Sequence, residues 1–389
     1  MRRKLCMSHA TPLRFHSTAS AGSAVSSLWQ LAPPPAPGLY ASVIVPAKDE
    51  ADTIVAALTA LAAQVDEEGH PLPPGSFEVL VLANNCQDAT AQLAREFGTR
   101  HPHLALHVAE TTLLKAEAHI GRARQLLMDE ACRRLEQAGQ PLRFIASTDA
   151  DTQVASTWLI ANRAALVAGA DAVGGRILMS DAVPGCPVRR RQLQDAAYQL
   201  LQIQLEEVLD PVPHDPWPRH HQHFGASMAV TTAAYRRVGG VPAVPYLEDE
   251  ALYQSLLQHD LQVRHSSAVR VYTSARQQGR VAVGLSWQLQ EWQRLGPQEP
   301  LVPHPAGIAA TIQLRRNLRA VWQHAHGLTL SSQEVFTELL HLSEAATNYA
   351  TFGAFWNWAR QQQRSPEYEA LPLSQATHEL RLLLAALRR

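Results

Sequence analysis

The sequence predicts an α/β layer fold: a mostly parallel central sheet flanked by helices, with a helical C-terminal extension. Two observations carry this. From residue 41 onward, short β-branched apolar runs alternate with longer segments of helical periodicity. Strands apolar on both faces belong to parallel sheets covered on both sides. Beyond about residue 283 the strand-like runs stop and amphipathic helical patterns continue to the end. With 46% hydrophobic and 18% charged residues over 389 positions, the chain is globular in composition, which excludes a disordered or collagen-like polymer.

The elements follow in order. Residues 1–40 end in LAPPPAPG, which cannot continue a helix or a central strand, and read as a disordered leader. ASVIVP (41–46) is the first strand and ADTIVAALTALAAQ (51–64) the first helix. FEVLVLA (77–83) is the second strand, with a helix beginning near Asp88. HLALHVA (103–109) is the third strand, and residues 115–139 read as one long helix closed by Gly139. LRFIAST (142–148) is the fourth strand, followed by a helix over 155–168, a strand near 170–178 and a helix over 187–209. After the proline- and histidine-rich 210–225 come a strand-like GASMAVT, a turn at Gly239–Gly240 and a helix from Glu248. Residues 308–325 and 335–363 read as helices. The second carries Tyr349, Phe352, Phe355, Trp356 and Trp358, an aromatic stripe suited to a core or a partner face.

Lys and Arg total 34 against 35 for Asp and Glu, a balance that offers no electrostatic footprint for nucleic acid. Cys6, Cys86, Cys132 and Cys186 stand far apart without a C-x-x-C pair, which fits a reducing compartment and predicts a cytoplasmic protein. No run approaches the roughly 18 apolar residues of a membrane span. Contact with membrane is therefore expected to be peripheral at most, at the inner face.

In an open α/β sheet, ligands bind beyond the carboxyl ends of the strands. Those ends carry Pro46, Lys48, Asp49 and Glu50 after the first strand, Asn84 and Asp88 after the second, and Asp149 and Asp151 after the fourth. Two carboxylates at a strand end offer hard oxygen ligands to Mg²⁺ or Mn²⁺; a turn or helix cap is the structural alternative. Glu248-Asp249-Glu250 opens a helix, where acids suit the helix dipole and could equally supply a general base. Arg122 and Arg124 could neutralise phosphates or form a solvated face. His214, His220, His221 and His223 match no standard zinc spacing and read as part of a mobile loop.

Taken together, SVIVPAKDEADTI, VLANNCQDATAQLA, GRARQ (121–125), TDADT, FGASMAVTTAAYRRVGGVP, YLEDEALYQSLLQHDLQV and VYTSARQQGR (271–280) resemble the family-2 glycosyltransferases of GT-A fold. The resemblance spans about residues 40–285. It implies a catalytic domain over 41–285 with a helical extension over 286–389, and transfer of a sugar from a nucleotide-diphosphate sugar to an acceptor hydroxyl with inversion. Pro46, Lys48, Glu50, Asn84, Asp88, Arg124 and Asp149 would bind the donor, and Asp149 and Asp151 the metal. Asp249 would be the base, with Glu248 beside it. Asn84 stands where the family often has aspartate, which leaves the nucleobase open. The Q-x-x-R-W motif of processive synthases is missing, so a single transfer is expected, to a small molecule, lipid or glycan. A sugar-phosphate nucleotidyltransferase would carry a glycine-rich loop where this chain has PAKDE, and an inactive scaffold would retain the acids without turnover.

Overall fold

The computed structural model describes residues 29, 32–180, 186–274, 284–328, 342–362 and 368–388. Eight strands, β1 (Ala41–Ala47), β2 (Phe77–Asn84), β3 (Ala105–Thr111), β4 (Phe144–Ser147), β5 (Thr152–Val154), β6 (Ala172–Met179), β7 (Met228–Thr231) and β8 (Val263–Thr273), form one sheet. Their order is β3-β2-β1-β4-β7-β6-β8-β5. β1 pairs in parallel with β2 and β4, as do β2 with β3 and β6 with β8. β7 runs against β4 and β6, and β5 against β8.

The parallel half is apolar on both faces because helices cover both. They are α1 (Ile54–Ala62), α2 (Thr90–Arg100), α3 (Ile120–Ala138) and α4 (Trp158–Val167). Along β1, Val43 and Val45 point to one core, with Leu58 and Leu61 of α1, Phe97 of α2 and Trp158 of α4. Ile44 points to the other, with Leu127 and Leu135 of α3. Each such side chain, wholly buried, stabilises the fold by about 1.5–3 kcal/mol, so a register slip of one residue would invert both cores at once.

Several boundaries differ from expectation. The third helix starts at Ile120, not 115: His119 is extended and its Nδ1 accepts the Arg122 amide, capping the helix there. The third strand sits at 105–111, two residues later than the apolar run suggested. β5 and β8 were not anticipated. β8 alternates buried and exposed positions, so its polar residues mask a strand of eleven. Residues 225–227 form a 3-10 turn before β7. Trp29, within the expected leader, is buried, and the Pro33 carbonyl accepts Arg134 Nη1 at 3.0 Å; residues 1–28 lie outside the described residues.

The helices α5 (Pro187–Leu209), α6 (Thr232–Arg237) and α7 (Glu248–Gln258) are followed by α8 (Leu285–Leu295), α9 (Pro305–Ala325), α10 (Ser343–Ala346), α11 (Phe352–Gln362) and α12 (Leu373–Leu387). Leu301–Val302 and Leu371–Pro372 add a small antiparallel pair. Tyr198, Leu205 and Leu209 of α5 share a core with Ile312 of α9 and Leu380 and Leu384 of α12. The helix expected over 335–363 is interrupted. Asp260 accepts the Phe352 and Gly353 amides at 2.6 and 2.7 Å and so starts α11 afresh. Residues 335–341 and 363 lie outside the described residues. Phe355 packs with Leu318, Leu342 and Ala346, and the other four aromatics of the stripe pack against that cluster, making it chiefly core.

Candidate active site

The ends of β1 and β2 are fastened to each other. Asp49 (φ 53°) accepts the Gln87 amide at 2.7 Å, and the Thr90 hydroxyl accepts the Glu50 amide at 2.8 Å. Asp88 accepts the Ala51 amide with one oxygen and the Thr90 amide with the other, both at 3.0 Å. Slight burial raises the Asp88 carboxyl, but the Thr90 hydroxyl and these amides hold it below the usual range. Asp49, Cys86 and Asp88 bring ligand atoms within 4.8 Å of one another. Their donors and acceptors serve the two loops, and burial pushes the Cys86 thiol up, away from the thiolate a metal would need.

Arg124, 4% exposed, is the hub of the site. Its Nη2 donates to Asp149 Oδ1 at 2.9 Å, and its Nε lies 3.2 Å from Glu248 Oε1. Gly225 lies against the guanidinium: a Cβ there would stand 1.3 Å from Arg124 Nη1. The Gly225 amide donates to Asp249 Oδ2 at 2.7 Å, and its carbonyl accepts the Ser147 hydroxyl at 2.8 Å. One glycine thus ties β4, α3 and α7 together. Gly225→Ala is expected to displace Arg124 at a stability cost of about 1–3 kcal/mol. The urea midpoint of the variant against the parent checks it; an unchanged midpoint would count against the hub.

Leu247, at φ 58° and ψ 35°, occupies the left-handed region immediately before α7. A bulky residue there costs on the order of 1 kcal/mol and persists only where its surroundings enforce it. The turn it makes sets Glu248, Asp249 and Glu250 at the helix start, facing Arg124 and the 223–225 segment.

Electrostatically the site is overloaded with acid. Burial raises the Asp149 carboxyl; Arg124 draws it back, while Asp249 and Glu50 push it further up. Glu248 is likewise raised, by burial and by Asp249, against the pull of Arg124. Burial opposes the charge on Arg124, and Glu248, Asp149 and Asp249 more than restore it, so the guanidinium stays cationic.

The segment 210–225 is not a mobile loop. Asp215 accepts from Arg264 and from His265 Nδ1, both at 2.7 Å, and Arg219 bonds Glu206 and Glu207. His223 Nε2 meets Glu250 Oε2 at 2.7 Å, with its ring stacked on Tyr253 at 3.7 Å. β6 admits this crossing because Gly174 has no side chain; a Cβ would sit 2.3 Å from the Gln222 carbonyl. Burial lowers His220 to about 3 and His221 to about 4, so both imidazoles are neutral near pH 7. Among the described residues none of these histidines joins a three-ligand metal group.

One open cavity of about 1270 Å³ unites these parts. Pro46, Lys48, Glu50, Asn84, Arg124, Asp149, Asp151, Glu248 and Asp249 all line it, whereas Asp88 stands behind, in the loop fastening. The sequence pointed to FGASMAV, which holds Gly225, as a possible pocket wall, but not to the cavity's second half on β6, α5, α8 and α11, nor to the contact of Gly225 with Arg124. Leu193 and Leu200 stand exposed on α5 in that half. Of the 271–280 segment, only 271–274 falls within the described residues.

Residues 42–215 match the family model described as Glycosyl transferase family 2. A curated relative, the glycosyltransferase AglE of Haloferax volcanii, is 34% identical over 71 residues, 18% of this chain and 21% of that protein's length. Among solved structures, the mannosyltransferase PcManGT of Pyrobaculum calidifontis, in complex with GDP-Man and Mn²⁺, is 18% identical. The match covers 93% of this chain and 87% of that one with a TM-score of 0.44. TarS 1-349 of S. aureus in complex with UDP is 15% identical over 84% and 93% of the two chains, TM-score 0.42. No helix among the described residues is long and apolar enough to cross a membrane. The stretch that matches the glycosyl transferase family 2 model, residues 42–215, holds the parallel strands β1 to β4 and the acids at their ends.

Proposed function

We propose that the protein is an inverting glycosyltransferase that moves a sugar from a nucleotide-diphosphate donor to an acceptor hydroxyl. The observation that carries this reading is the convergence of Lys48, Asp149, Asp151 and Asp249 on one cavity around a buried arginine, the first three of them within the stretch 42–215 that matches the family 2 model. Pro46, Lys48, Glu50 and Asn84 form the donor wall, with Asp88 supporting it from behind. Asp249 is the base. Its Oδ2 is held by the Gly225 amide, which orients the carboxylate toward the cavity while leaving it a proton acceptor. Glu248, bound to Arg124, positions the start of α7.

The residues present fit a divalent cation. Glu50, Asp149, Glu248 and Asp249 act on one another against Arg124, a surplus of negative charge that would repel a diphosphate unless offset. Asp149 and Asp151 would hold Mg²⁺ or Mn²⁺. Water and substrate oxygens would complete its coordination. Bound there, the ion would supply electrostatic stabilisation of the leaving diphosphate.

A thermal-shift screen against UDP, GDP, dTDP and CDP, with and without Mn²⁺, tests the reading. A ligand that binds only the native state raises the melting temperature by mass action. One nucleotide is expected to give a metal-dependent shift that Asp151→Asn abolishes, which also identifies the donor class. No shift with any of them would remove the donor site and leave an inactive scaffold.

A further inference from the structure

The cavity's second half has a chemistry that the donor and the base do not account for. Its walls include leucines left open to solvent: Leu193 and Leu200 on α5, 54% and 41% exposed, and Leu285 at the start of α8, 36% exposed. Trp292 and Trp356 line the same space. Solvated apolar side chains facing a shared concavity mark a ligand surface better than scattered surface leucines do.

Among these apolar walls stand three arginines, Arg176 on β6, Arg189 on α5 and Arg360 on α11. Arg360 donates to Asn357 and Arg189 to Gln192. Among the described residues no carboxylate lies within ion-pair distance of any of the three. Burial depresses Arg360 with no acid to restore it. Asp195, also in this half, is pushed up to about 6 by burial and forms no ion pair among the described residues. The other nearby acid, Glu250, is occupied by His223 and Gln254. Part-buried arginines without a carboxylate, as Arg189 and Arg360 are, are poised for a planar anion, carboxylate or phosphate.

We infer that the acceptor of the proposed transfer is an amphiphile, joining an anionic group to an apolar chain or ring, with the anion at Arg176, Arg189 and Arg360 and the apolar part along Leu193, Leu200 and Trp292. This rests on the glycosyltransferase reading and names the acceptor's class. The apolar wall favours such a molecule over a plain sugar, and the arginines favour it over a neutral lipid. The reacting hydroxyl lies at Asp249, at the junction of the two halves.

The test is calorimetric titration of the full chain with decyl phosphate below its micellar range, with decanol and with inorganic phosphate. Vesicles of phosphatidylcholine with and without phosphatidylglycerol form a further arm. Saturable one-to-one binding of decyl phosphate is expected, with decanol and phosphate each weaker by about tenfold or more. Arg360→Gln and Leu200→Asp are each expected to weaken it about tenfold. Arg176→Gln, at an exposed strand position, serves if Arg360→Gln fails to fold. Equal affinity in parent and variants overturns the inference, and so does binding to phosphatidylglycerol vesicles that decyl phosphate does not compete, which would make this face a membrane contact. The nucleotide screen separates the two claims. A nucleotide shift without decyl phosphate binding sinks the acceptor class alone. Decyl phosphate binding without any nucleotide shift sinks the transferase reading and the acceptor role with it.

Discussion

Asp249→Asn is expected to lower turnover by about 10²–10⁴-fold, the usual contribution of a positioned general base, while nucleotide binding and folding stay close to the parent. Asparagine keeps a side-chain oxygen for the Gly225 amide, which now meets Asp249 Oδ2 at 2.7 Å. The geometry of the 225 turn and the seat of Arg124 should survive. What is lost is the ability to take a proton, together with the bond in which Asp249 Oδ1 accepts the Glu250 amide at 2.8 Å. The comparison is Glu248→Gln, which weakens a partner 3.2 Å from Arg124 Nε and should therefore disturb donor affinity as well as rate. The assay is transfer or hydrolysis of the nucleotide-sugar whose nucleotide the thermal-shift screen selects. If Asp249→Asn turned over within a few-fold of the parent, Asp249 would not be the base.

The second large effect is on stability. Arg134 and Glu78 are each 2% exposed. Arg134 Nη2 and Nε donate to Glu78 at 2.7 and 3.0 Å, the Ser42 hydroxyl adds a bond at 2.6 Å, and His107 Nε2 lies 3.4 Å away. Burial alone would raise the Glu78 carboxyl; bonds from His107, Arg134 and Ser42 bring it down to about 2. Arg134→Leu strands a buried carboxylate and is expected to cost about 3–5 kcal/mol. Pairing it with Glu78→Leu should recover much of the loss, since apolar replacement of both partners is often neutral. The sign with pH follows. A carboxyl lowered on folding contributes stability that is present above its unfolded value, 4.5, and lost as pH falls toward about 2. Urea midpoints of parent and Glu78→Gln across that range are the measurement. A parent curve no steeper than the variant's would contradict the assignment.

The donor half was legible because its logic is local. β1, β2 and β4 are apolar on both faces, and the residues directly after them turn polar, so Lys48, Asn84 and Asp149 could be read as facing one edge. What could not be read depends on distant partners. Glu78 sits inside the apolar run FEVLVLA, and nothing near it announces Arg134. The start of α3 was misjudged because His119 caps it where Lys115–Ala118 looked helical. β8 was hidden because one of its faces is exposed. The cavity's second half is assembled from four elements far apart in sequence, and spacing along the chain carries no trace of that.

Arg124 joins Asp149, at the end of the donor wall, to Glu248, in the first turn of the helix that carries Asp249. A single buried cation shared between two acids cannot answer to one of them without changing its pull on the other. Whatever ligand draws Asp149 away shifts the guanidinium's field toward Glu248 and the acceptor side. Linkage is reciprocal, so under the proposed function an acceptor that settles against α7 would alter the hold on the donor by the same factor. Under the proposed function the two substrates would therefore be coupled through one side chain, whichever arrives first.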